Sequence, residues 1–249
     1  MDVDAAGSYE NPLRKLEDGG LGFCYDFDPE IFAGALGVTH GPLLVGLDTN
    51  AILEIQNYGV RLIDDEAIDH PDPAHRRDIL ALGEVLELWF TRDIRFVVLP
   101  GARSDHRRQG HSEKLERLHN TFLAIEDALT FQLQDWGSED RRFQWSRDRP
   151  DLVKQTLARI PGSLDRLLVG QSFDCGVDVF LTMDKQVLRS TSDAPPNFPN
   201  VWPPSRLMDR LKQIGHFGGG VVRHDKCPYE GRVLFPDLGK ISRLLEVLE

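Results

Sequence analysis

The sequence predicts an α/β fold, a three-layer sandwich with a central, mostly parallel sheet, and three observations carry that prediction. Leu43–Leu47, Phe96–Leu99 and Val179–Leu181 are short apolar runs that stop abruptly, the pattern of strands buried on both faces. Longer segments between them carry apolar residues at helical spacing. Strand and helix patterns alternate along the chain, as they do when parallel strands are joined by crossover helices.

Taken in order, residues 1–42 are rich in Gly and Asp with scattered aromatics and read as an N-terminal extension. The Leu43–Leu47 strand ends in Asp48, and Thr49-Asn50-Ala51 opens a helix. Pro71 and Pro73 punctuate the chain before a second helix, from Ala74 to about Phe90, whose Ile79, Leu80, Leu82, Val85, Leu86, Leu88 and Trp89 make a broad apolar face. Phe96–Leu99 is the second strand, closed by Pro100. The spacing of Leu115, Leu118, Phe122, Ile125 and Leu129 predicts a helix within residues 112–136, and a further helix follows Pro150. Ser163 is placed to cap a helix running to Cys175, with Gly176 to end it. Val179–Leu181 is the third strand, Val201-Trp202 a fourth, and Pro203-Pro204-Ser205 starts another helix. The domain so built covers 43–215. Residues 216–249 read as a C-terminal extension, with Gly218–Gly220 as a hinge, Val221-Val222 and Val233–Phe235 as a hairpin, and Ile241–Leu248 as a closing helix.

Composition narrows the class of protein. At 249 residues, 41% of them apolar, the chain has material for one large core. No stretch approaches the roughly 18 apolar residues needed to span a bilayer. The opening MDVDAAGSYE is acidic where a secretion signal is basic and then apolar, so a cytoplasmic protein with no membrane association is expected. Cys24, Cys175 and Cys227 are odd in number and far apart, which suits neither a disulfide framework nor a closed zinc site. Forty acidic against 29 basic side chains give a net charge of −11, which argues against a whole-surface nucleic-acid binder. A site of clustered carboxylates with a local basic rim remains compatible with that balance.

Four aspartates stand where such a site would form. Asp48 closes the first strand, Asp105 follows the second by one turn, Asp165 lies in the first turn after Ser163, and Asp184 comes two residues after Thr182 at the end of the third. In an open parallel sheet ligands bind at the carboxyl ends of strands. Two carboxylates about 5 Å apart repel by roughly 3 kcal/mol at an effective dielectric near 20, so convergence calls for a cation. Oxygen-only ligands suit Mg²⁺ or Mn²⁺ rather than zinc.

The segment DRLLVGQSFDCGVDVFLTMDKQVL, Asp165 to Leu188, resembles the PIN domain, the nuclease fold of many bacterial toxins and eukaryotic RNA-processing factors. The shared pattern is an acid opening an apolar helix, a glycine, an apolar strand and Thr-x-Asp, with Asp184 standing 19 positions after Asp165. LLVGLDTNAIL around Asp48 is similar to the family's first strand, and Val201–Leu207 to its closing strand and Pro-bearing helix start, so the likeness covers about 43–212.

The resemblance implies that Asp48, Asp165 and Asp184 are catalytic, metal-binding acids, with Asn50 and Thr182 as polar neighbours that orient water, metal or phosphate. The family's second acid is usually a glutamate just after the second strand. That offset falls here on Asp105, one methylene shorter, while Glu84 and Glu87 precede the strand on the outer face of a helix. The implied activity is Mg²⁺- or Mn²⁺-dependent hydrolysis of single-stranded or structured RNA. Arg103, Arg107 and Arg108 would form the nucleic-acid rim, further Arg residues at 141–149 would extend it, and Trp136 and Trp145 would stack on bases. A toxin of this kind has an inhibitory protein partner, and members of the family form homodimers. Two other readings stay open: a catalytically weak scaffold that binds RNA or protein, and a structure-specific DNA nuclease.

Overall fold

The structure, a computed structural model, describes residues 31, 43–91, 94–102, 113–130, 148–214, 216–218, 221–223 and 238–248. Strand β1 is Leu43–Leu47, and every residue in it is buried. Because successive strand side chains point to opposite faces, that pattern requires cover on both sides of the sheet. Helix α1, Thr49–Ile63, starts directly after Asp48 and buries Thr49, Ala51, Ile52, Ile55 and Gly59, a stripe at three- and four-residue spacing. Helix α2, Pro73–Thr91, begins where Asp72 Oδ1 accepts the backbone N–H of Ala74 at 2.9 Å. Strand β2, Ile94–Val98, then pairs in parallel with β1, Leu43 opposite Ile94 and Leu47 opposite Val98.

Helix α3 spans Glu113–Thr130 and buries Phe122, Ile125 and Leu129. Helices α4, Asp151–Ala158, and α5, Ser163–Asp174, come next. The cap of α5 is Gly162 rather than Ser163, which is the first helical residue. Gly176, at φ 65°, makes the left-handed turn that lets the chain leave α5, a conformation strained for any residue with a Cβ. Strand β3, Val179–Leu181, follows, then the short helix α6, Lys185–Ser190, strand β4, Asn200–Trp202, and helix α7, Pro204–Ile214.

The main sheet is four-stranded and all parallel, in the order β2-β1-β3-β4. From β1 the chain moves outward to β2, then returns across β1 to β3. The order of connection therefore reverses at β1, and beside such a switch point a parallel sheet opens a crevice at the carboxyl ends of its strands, here β1 and β3. Asp178, 6% exposed, braces this junction at the other end: its Oδ2 accepts the N–H of Leu44 at 2.9 Å, while its own N–H donates to the Leu44 carbonyl at 2.9 Å.

The C-terminal extension holds a hairpin. Strand β5, His216–Gly218, pairs antiparallel with β6, Val221–Arg223, while residues 233–235, the expected partner of 221–222, lie outside the described residues. A partner a few residues away costs less loop-closure entropy. The last helix, α8, Leu238–Leu248, packs on α1 and α3 and buries Leu244 in the main core. Among the described residues no helix is long and apolar enough to cross a membrane.

Candidate functional site

Asp48 occupies the crevice at the carboxyl end of β1. It is the N-cap residue of α1, with the extended backbone usual there (φ −70°, ψ 154°), yet its side chain makes no capping bond. Instead Oδ2 accepts a hydrogen bond from Thr182 Oγ1 at 2.6 Å, across the gap to the end of β3. Its backbone N–H donates to the Leu181 carbonyl at 3.0 Å, so the pairing of β1 with β3 places the two side chains next to each other. Asp48 is 4% exposed and Thr182 fully buried. A carboxylate at this depth costs several kcal/mol of solvation unless it is paired, hydrogen-bonded or metal-bound. A short charge-assisted bond to a hydroxyl offsets part of that.

Thr182 is held in turn by the sheet. Its N–H donates to the Trp202 carbonyl at 3.1 Å, and its Oγ1 accepts the backbone N–H of Asp184 at 3.1 Å. One hydroxyl thereby fixes the buried carboxylate and the turn that presents Asp184. Asp184, half-buried, caps α6: Oδ1 accepts the N–H groups of Gln186 at 2.6 Å and Val187 at 3.1 Å. The rotamer is locked through Oδ1 alone, and Oδ2 takes no hydrogen bond among the described residues.

Asp165 does not join this pair. It is the third residue of α5, and its carboxylate folds back over the cap: a Cβ built on Gly162 would stand 1.9 Å from Asp165 Oδ2. The helix dipole favours a charge there by roughly 0.3–1 kcal/mol. Among the described residues no three His, Cys, Asp or Glu side chains come close enough together to hold a metal ion. Asp105, Arg103, Arg107 and Arg108 lie outside the described residues, as do Trp136 and Trp145. Asn50 is exposed on the first turn of α1. Glu84 is on α2, ion-paired with Lys212 of α7, and Glu87 lies three residues further along α2.

Polar contacts that no local motif announces surround the crevice. Thr49, 3% exposed and adjacent to Asp48, has a hydroxyl with no hydrogen-bond partner among the described residues. Lys185, which follows Asp184, reaches Asp72 Oδ2 at 3.2 Å, and this bond, with the backbone N–H groups of Ala74 and His75, holds the Asp72 carboxyl below the usual aspartate range. His75 on α2 meets Glu54 on α1 at 2.8 Å, and the His70 ring packs on the His75 ring, centroids 4.5 Å apart. These residues come from α1, the turn before α2, α2 and α6. They meet only because the three helices begin around the same crevice.

Hard oxygen donors thus stand at adjacent strand ends, beside a buried hydroxyl and the start of α1. In comparisons with protein-family models, curated proteins and solved structures, no match to this chain is found in any of the three.

Proposed function

We propose that the chain is a divalent-metal-dependent endoribonuclease with a PIN-like domain, acting on single-stranded or structured RNA. One observation carries the reading. Asp48 stands at a helix N-cap and declines to cap, its buried carboxylate turned to Thr182 at the switch point of a parallel sheet. An aspartate retained only to start a helix has its oxygen on the N–H groups of the first turn, as Asp184 and Asp72 do here.

The residues present fit a hard cation. Asp48 and Asp184 would hold it, since both are oxygen donors and each is already oriented through other bonds. No His or Cys belongs to the pair, which favours Mg²⁺ or Mn²⁺ over zinc. Such an ion, when bound, polarises a phosphate and lowers the pKa of a water. The chain's own part is orientation. Thr182 fixes Asp48, the cap bonds of α6 fix Asp184, and the Thr49 hydroxyl with the amino end of α1 offers hydrogen bonds and a favourable dipole to phosphate oxygens.

The test is cleavage of single-stranded RNA by the purified protein with Mn²⁺ or Mg²⁺, with Asp48→Asn and Asp184→Asn abolishing it. Unchanged cleavage in both variants overturns the reading. RNA and DNA strands of identical sequence separate a ribonuclease from a structure-specific DNA nuclease. One observation favours a catalytically weak scaffold instead: among the described residues no three His, Cys, Asp or Glu side chains group closely enough to hold a metal ion. That alternative predicts RNA binding without cleavage at any metal concentration.

A further inference from the structure

His70, His75 and Glu54 have no place in the reading above. His75 Nε2 lies 2.8 Å from Glu54 Oε1; a carboxylate accepts, so Nε2 carries the hydrogen. His70 Nδ1 lies 3.2 Å from the Asp72 backbone nitrogen and 3.3 Å from the Asp72 carbonyl oxygen, so both contacts of this ring to Asp72 use one nitrogen. Neither remaining nitrogen, Nδ1 of His75 nor Nε2 of His70, has a partner among the described residues, and both rings are part-exposed.

Their position follows from three contacts. Glu54 is four residues beyond Asn50, and a helical side chain covers the turn before its own Cα, so the Glu54–His75 contact lies over the first turn of α1. Asp72 caps α2 and bonds Lys185 of α6, next to Asp184. Thr182 links Asp48 to the Asp184 turn. The contacts close a ring through α1, α2, α6 and the end of β3, with the imidazole pair on its α2 side.

We propose that His70 and His75 form a phosphate-binding imidazole pair, which holds a backbone phosphate of the RNA strand beside the Asp48–Asp184 crevice; this rests on the nuclease reading of that crevice. The two rings, centroids 4.5 Å apart, set two unpartnered ring nitrogens close enough together to share one phosphodiester group. The charged groups around the pair are Glu54 from α1, Asp72 from the cap of α2 and Lys185 from α6, with Asp69 and Arg76 flanking in sequence. Both contacting acids are already engaged, Glu54 by His75 and Asp72 by Lys185. A mere tie between α1 and α2 needs only a hydrogen bond, which glutamine also supplies; a phosphate site needs the proton.

The experiment measures binding of a short single-stranded RNA, in EDTA so that no cleavage occurs, to the full chain. Affinity of the wild type falls about tenfold between about pH 6 and about pH 8, across the range where imidazole loses its charge. His75→Gln and His70→Gln flatten that profile and, in the cleavage assay, raise KM more than they lower kcat. Urea unfolding of His75→Gln checks that the α1–α2 contact survives, and His70→Gln, which leaves that contact in place, stands as the second variant. An unaltered pH profile in both variants overturns the proposal, as does binding in the wild type that does not vary with pH. The binding assay contains no metal and reads no cleavage, so failure of the nuclease reading appears as absent cleavage and failure of the imidazole pair as an unaltered pH profile of binding.

Discussion

Replacing Asp48 by asparagine separates a site acid from a helix-starting one, because the two roles predict different stability changes. Asparagine caps helices as well as aspartate, so loss of a cap role would leave stability within a few tenths of a kcal/mol. The observed Asp48 accepts from Thr182 Oγ1 at 2.6 Å while 4% exposed. Exchanging its charge-assisted bond for a neutral one costs about 1 kcal/mol. Removing a buried charge returns several kcal/mol of solvation, so the variant is expected to be more stable by about 1–3 kcal/mol. For a chain of this size each kcal/mol moves Tm by about 2–4 °C, so a rise of several degrees is expected. Urea and thermal unfolding in EDTA read it without ligand stabilisation. Cleavage in Mn²⁺ should fall by more than about 100-fold, beyond the usual effect of losing a residue that only supports a metal ligand. A variant of unchanged or lower stability, or one that cleaves normally, refutes the reasoning.

The other expectations follow from neighbouring bonds. Asp184→Ala removes the α6 cap and is expected to cost about 1 kcal/mol in urea unfolding, whereas Asp184→Asn keeps the cap; both lose cleavage. Thr182→Val deletes one hydroxyl that serves both Asp48 and the Asp184 N–H, a loss of about 2–4 kcal/mol that Thr182→Ser largely restores. Cys175 is 1% exposed, and burial, reinforced by Asp174, pushes its thiol up to about 12. The folded value is raised, so the stabilisation is complete below the unfolded thiol's pKa of about 8.5 and declines as pH rises from there towards the folded value. The stability advantage of the wild type over Cys175→Ala should therefore shrink above about pH 8.5, and Cys175 should resist alkylation until the chain unfolds.

Most of the sheet was legible because its strands are local events. Leu43–Leu47 and Val179–Leu181 announce themselves by unbroken apolar character, and the helices between them by spacing. β2 runs Ile94–Val98 rather than 96–99, since Arg95 breaks the apolar run without breaking the pairing. The pairing of His216–Gly218 with Val221–Arg223 was not legible, because apolar content alone does not select a partner; proximity along the chain favours this one. In the candidate site, Asp48, Thr182 and Asp184 were visible as motif residues at strand ends. Asp178 was not, since its role is a side-chain bond to a backbone 134 residues away.

The sequence by itself determined the class of fold, the positions of the acids relative to strand ends and the kind of donor on offer, because periodicity, chain punctuation and side-chain chemistry are properties of neighbours. Tertiary structure alone decided what each carboxylate does. Three aspartates at helix starts look alike in sequence; in the fold Asp184 caps its helix, Asp165 folds onto Gly162, and Asp48 leaves its helix for Thr182 on the adjacent strand. A hydrogen bond across 134 positions is a consequence of strand order, and strand order is settled by which packing buries the most apolar surface with every backbone group satisfied.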